Sequence, residues 1–139
     1  MIPARCLQTG FGGPSIESFE AGSFSAADFT HSAHVYVAWS YLKLHDLPET
    51  LRRFTAALTR FTRDIGQAGK YHETITWFFI ILVAARRRGP AADDWFAFER
   101  ENPDLMQQGG KLLRDYYSQD TLDSELAKHQ FVLPDFPGP

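Results

Sequence analysis

Residues 72–90 read HETITWFFIILVAARRRGP, and this stretch decides the fold class. Residues 75–85 are apolar on every side of a helix, which is typical of the central buried helix of a bundle. The run is shorter than the roughly 20 residues that a membrane-spanning helix needs. The arginines and the following Gly89 and Pro90 predict the end of the helix. Ile81, in the middle of the run, is therefore expected to be deeply buried.

Two further segments carry apolar residues at the i, i+3/i+4, i+7 spacing of a core-facing helix. The stripes are Val35, Ala38, Tyr41 and Leu42 in the first segment, and Leu51, Phe54, Leu58, Phe61 and Ile65 in the second. We predict an all-α fold, a bundle of three long helices running up, down and up, with additional short C-terminal helices. Residues 16–135 are expected to form this single domain, and residues 1–15 an irregular N-terminal arm, of which residues 1–13 should be dispensable.

Composition limits the function classes. The chain has 139 residues, a net charge of −3 and one cysteine, Cys6, which excludes an internal disulfide and a cysteine metal cluster. The sequence has no basic stripe interleaved with aromatic residues, so nothing in it indicates that the protein binds nucleic acid. The first residues lack the apolar core of a signal peptide. We therefore expect a cytoplasmic protein without nucleic-acid or membrane partners, and leave oligomerisation open.

Three histidines fall on the inward faces of the first and third helices, near their starts. His31 and His34 are three residues apart, so their side chains can reach one common point. His72 opens the third helix. If the helices run up, down and up, the starts of the first and third lie at the same end of the bundle. The sequence therefore predicts that His31, His34 and His72 converge.

Converging imidazoles suit a divalent transition metal. A three-nitrogen face fits Zn²⁺ with an open water position, and also Fe²⁺ or Cu²⁺. The partial positive charge at a helix N-terminus disfavours protonated imidazole and so keeps the rings neutral, as metal ligation needs. The same positive charge also favours an anionic ligand over a metal cation. Glu73 is a candidate general base, extra ligand or member of the second coordination shell. Tyr71 is a candidate donor to a bound group.

Three hypotheses of function follow. The first is a small metal-dependent enzyme with a mononuclear site at one end of the bundle, acting on a small-molecule substrate. The alternative is a non-enzymatic protein that holds a small anionic or hydrophobic ligand with the histidine cluster and an aromatic pocket. The third is a partner subunit whose aromatic-rich C-terminal half covers another chain.

The motifs are similar to those of a known group. Phe29-Thr30-His31-x-x-His34 and Tyr71-His72-Glu73-Thr74-Ile75-Thr76 resemble the (Trp/Phe)-Thr-His-x-x-His and Tyr-His-Glu-Thr-Ile-Thr motifs of small uncharacterised bacterial helical proteins. The resemblance implies that His31, His34, His72 and Glu73 form one site, and it implies no activity. A looser likeness, with a different histidine spacing, exists to metal bundles of the damage-inducible thiol-transferase type.

Overall fold

The structure, a computed structural model, describes residues 14–139. Most of the expected N-terminal arm, and with it the expected dispensability of residues 1–13, lies outside the described residues. The all-α prediction is confirmed, because residues 14–139 form nine α-helices and no strand. Pro14 is buried, and the Ser15 side chain caps the first helix.

Four helices come first, and α2, α3 and α4 are the long ones. Their bounds are α1 Ile16–Ala21, α2 His31–Leu44, α3 Leu47–Asp64 and α4 Glu73–Arg86. Five shorter helices follow, with bounds α5 Trp95–Glu101, α6 Pro103–Gln107, α7 Gly109–Tyr116, α8 Gln119–Leu122 and α9 Glu125–His129. Short 3₁₀ turns occupy Ala26–Asp28, Ala68–Lys70 and Gly89–Ala92.

Side-chain caps fix where the three long helices begin. The side chains of Thr30, Asp46 and His72 accept hydrogen bonds from the backbone N–H groups of residues 33, 49 and 75, at 3.2, 2.9 and 3.2 Å. Each cap satisfies an N–H group that has no partner within the helix. The Ser25 side chain caps the preceding 3₁₀ turn, Ala26–Asp28.

The long helices pack against one another and supply most of the core. Each of α2, α3 and α4 contacts the other two, which supports a helical bundle. Fully buried side chains come from all three, including Val35, Tyr41, Phe54, Ile80 and Val83. Within residues 14–139, no helix combines the length and the apolar character needed to cross a membrane.

The expectation that α4 is buried on every face is wrong. Ile80 is fully buried, but Ile81 is only partly buried and lines an apolar cleft of about 270 Å³ beside Phe131 and Leu133. The neighbouring elements cover only part of the circumference of α4. Apolar side chains on the remaining part, Trp77 among them, stay partly exposed.

Candidate functional site

A cavity of about 350 Å³ lies where the first turns of α2 and α4 meet the last turns of α3. Most of its wall is apolar, and a few polar side chains interrupt it. The apolar lining consists of Ala26, Phe29, Leu58, Phe61, Ile65 and Ile75. The polar lining consists of His34, Thr62, Gln67, Lys70, Tyr71, His72 and Thr76.

The imidazole of His34 is held among aromatic rings. Its centroid lies 5.9 Å from Phe29, 4.9 Å from Phe54 and 5.9 Å from Phe79. The Nε2 atom is shielded from solvent and has no hydrogen-bond partner among the described residues. Burial lowers the pKa of His34 to about 3, the nearby His31 acts in the same direction, and a hydrogen bond between the imidazole and the Thr76 backbone acts in the opposite direction. The ring is therefore neutral at neutral pH.

His31, one turn earlier, points to another element. Its Nε2 atom lies 2.8 Å from the backbone oxygen of Leu105, and because a carbonyl can only accept, this nitrogen donates. The ring edge packs against Phe79, with centroids 4.7 Å apart. A Cβ atom added to Gly109 would stand 2.4 Å from Nε2, so the absence of a side chain at Gly109 makes room for the ring. His31 is not part of the cavity wall.

His72 uses both ring nitrogens within the fold. Its Nδ1 atom accepts from the backbone N–H of Ile75, and its Nε2 atom donates to the backbone oxygen of Leu122, 2.7 Å away. These two bonds assign the proton to Nε2 and hold the ring in place. The ring forms part of the cavity wall, but neither nitrogen is free to take a ligand there.

The structure thus brings His34 and His72 to one cavity and turns His31 toward Leu105. Among residues 14–139, no group of three or more His, Cys, Asp or Glu side chains is arranged to hold a metal ion. A metal bound by all three histidines would need one ring nitrogen of His72 and would displace the hydrogen bond that this nitrogen makes, either to Leu122 or from Ile75. The three-histidine metal site stays a prediction that requires this rearrangement.

Tyr71 and Glu73 form a pair at the start of α4. The Tyr71 hydroxyl donates to Glu73 Oε1 at 2.5 Å. Burial and this hydrogen bond raise the pKa of Tyr71 well above its ordinary value. Tyr71 contributes to the cavity wall, whereas Glu73 stands outside it. Glu73 is therefore placed to orient the phenol of Tyr71, and its predicted role as a base stays a prediction.

Several residues of the site were not singled out from the sequence. Lys70 borders the cavity and directly precedes Tyr71 and His72 in the sequence. This adjacency to two candidate site residues was the sequence feature that could have indicated its place in the site. The acceptors at Leu105 and Leu122 are backbone carbonyls, which leave no mark on the side-chain pattern. Gly109 could have been noticed in the sequence, because a glycine within an otherwise helical segment can mark a close contact with another part of the fold.

Comparisons with known proteins add no relative: no protein-family model, no curated protein and no solved structure matches this chain. The resemblance to the bacterial group with the two histidine motifs therefore stays a prediction.

Proposed function

We propose that this protein binds a small, largely apolar organic molecule in the cavity at the shared end of α2, α3 and α4. The observation that carries the proposal is the Nε2 atom of His34, which is buried without a hydrogen-bond partner. Such an atom costs on the order of 1–3 kcal/mol unless something satisfies it. A ligand with one hydrogen-bonding group would remove that cost.

The size and lining of the cavity support the same proposal. Small-molecule sites have volumes of roughly 300–1,000 Å³ and apolar walls with a few polar groups that orient the ligand. The cavity here measures about 350 Å³ and has this mixture. A ligand at the lower end of the usual size range would fit.

The proposal includes the up-down-up order of the long helices. His34 belongs to the first turn of α2, Ile75 to the first turn of α4, and Phe61 to the last turns of α3. Their presence around one cavity supports an arrangement in which α2 and α4 start where α3 ends. Two helix N-termini then border the ligand, and their partial positive charge favours acceptor or anionic groups.

The observed hydrogen bonds of His31, His72 and Glu73 agree better with the binding of an organic ligand than with a metal-dependent enzyme. His31 and His72 already donate to backbone carbonyls, and Glu73 already accepts from Tyr71. An organic ligand satisfies His34 and leaves each of these bonds intact. A metal held by the three histidines would break some of them at a cost in stability.

Blocking the cavity tests the proposal. The fluorescent dye anilinonaphthalene sulfonate is the probe, because its aromatic rings bind apolar sites and its fluorescence rises there. Thr62 lines the cavity, and Thr59 lies one turn earlier on α3 but does not line it. We expect Thr62→Trp to abolish the saturable dye signal and Thr59→Trp to retain it, with both proteins folded by circular dichroism. Equal binding by the two variants would refute the proposal.

A further inference from the structure

The inner part of the cavity favours an uncharged polar group on the ligand. The His34 ring lines the cavity and packs among the rings of Phe29, Phe54 and Phe79, so the surroundings of its imidazole are apolar. A charge placed there would lose its hydration without gaining an ion partner, which is costly. A neutral imidazole nitrogen either donates or accepts, depending on the tautomer. A hydroxyl group satisfies either form.

The middle of the wall favours hydrocarbon. Leu58, Phe61, Ile65 and Ile75 supply apolar surface from α3, its end and α4. Burying an aliphatic or aromatic body against them contributes about 25 cal/mol for each Å² removed from water. This part of the wall gives affinity and does little to distinguish one apolar body from another.

The mouth of the cavity carries a positive charge. Lys70 is exposed and borders the cavity, and none of the ion pairs among the described residues involves it. Two nearby carboxylates are engaged elsewhere, since Asp64 pairs with Arg63 and Glu73 accepts from Tyr71. The N-terminal end of the 14-residue helix α4 adds partial positive charge at the same side. Both features favour an anion.

We infer that the ligand is an organic monoanion whose carboxylate lies at Lys70, whose body is apolar, and whose far end carries a hydroxyl that bonds His34. This inference rests on the proposed function and names the chemical class of its ligand. The hydroxyl forms a hydrogen bond with His34 Nε2, which otherwise has no partner. The carboxylate remains in contact with water, so neither polar end of the ligand is buried without a partner.

Three probes of one length separate the two polar contacts. Omega-hydroxyoctanoate has both groups, octanoate lacks the hydroxyl, and octanediol lacks the carboxylate. Each is titrated at low ionic strength by displacement of anilinonaphthalene sulfonate from the full chain. We expect omega-hydroxyoctanoate to bind most tightly, and octanoate and octanediol each to bind more weakly.

Matched variants assign the contacts to residues. His34→Phe keeps an aromatic ring and should weaken omega-hydroxyoctanoate by roughly five- to hundredfold while changing octanoate little. His45→Phe, at the other end of α2, is the control and should change neither. Lys70→Met should weaken both carboxylates by roughly two- to fivefold, with octanediol unchanged and the effect lost at high salt. Lys70→Arg should retain the binding.

The outcomes separate this inference from the proposed function. If octanediol binds as tightly as omega-hydroxyoctanoate and Lys70→Met has no effect, the anionic class is refuted while cavity binding stands. If His34→Phe weakens octanoate as much as omega-hydroxyoctanoate, the hydroxyl contact is refuted. If Thr62→Trp leaves dye binding unchanged, the proposed function fails as well.

Discussion

The backbone of Gly109 lies against the imidazole of His31, with the position of a missing Cβ atom only 2.4 Å from Nε2 and 2.6 Å from Cε1. Real Cβ atoms do not approach so closely. The same nitrogen donates to Leu105, so the ring is held between two points of the α6–α7 segment. The position of His31 therefore depends on a glycine far away in the sequence.

Gly109→Ala should destabilise the protein by about 1–3 kcal/mol, because the His31 ring must move and its hydrogen bond to Leu105 must weaken. Gly110→Ala is the matched control. Its added Cβ would meet nothing closer than Arg114 Nη1 at 3.5 Å. It should be neutral or stabilise by up to about 1 kcal/mol through the helix preference of alanine. Urea unfolding measures both, and equal effects would contradict the contact.

His72 should matter for stability without any metal. His72→Ala removes both the cap of α4 and the bond to Leu122, for a loss of about 1–3 kcal/mol in the free energy of unfolding. His72→Asn should lose less, since asparagine also caps helices but is too short to reach Leu122. Urea unfolding in the presence of a chelator gives the comparison. Equal losses would show that the cap contributes nothing.

The long helices could be predicted from the sequence, while part of the site could not. Apolar periodicity and the caps Thr30 and Asp46 are local signals, and the observed bounds of α2, α3 and α4 follow them closely. The direction of His31 depends on a carbonyl 74 residues away, which no side-chain pattern encodes. The partial exposure of Ile81 escaped prediction because composition shows how apolar a helix is, but not how far its neighbours surround it.

Stability should fall as the solution becomes acidic, because His34 is buried neutral. Its pKa drops from 6.5 in the unfolded chain to about 3 in the fold. Between these values the unfolded state binds more protons, so the free energy of unfolding rises with pH, by at most about 1.4 kcal/mol per unit. His34→Phe should reduce this slope in urea unfolding between about pH 7 and pH 5. An unchanged slope would mean that His34 charges in the fold.

The adjacent isoleucines of α4 should respond differently. Ile80→Ala, at a fully buried position, should cost about 2–5 kcal/mol. Ile81→Ala should cost about 1–2 kcal/mol, because part of its side chain already contacts water in the fold. Thermal or urea unfolding distinguishes them. A larger loss at Ile81 would show that the cleft beside Phe131 is closed in solution.

The metal hypothesis has its own test. Zinc bound by all three histidines must break one of the two hydrogen bonds of His72, so we expect zinc to leave the melting temperature of the wild-type protein unchanged or to lower it. The measurement uses protein without a histidine tag. A rise in the melting temperature that His31→Ala, His34→Ala and His72→Ala each abolish would favour the metal-dependent enzyme over our proposal.

The hydrogen bonds of His31 and His72 to Leu105 and Leu122 have a consequence for synthesis on the ribosome. When α2, α3 and α4 have left the exit tunnel, the carbonyls that hold these two rings have not yet emerged from it. Nascent chains fold from the N-terminus, so the segment α2–α4 first emerges without the acceptors of the His31 and His72 side chains. A chain stalled or truncated before residue 122 would contain every residue that lines the cavity but would lack the carbonyl that holds the His72 ring in the cavity wall.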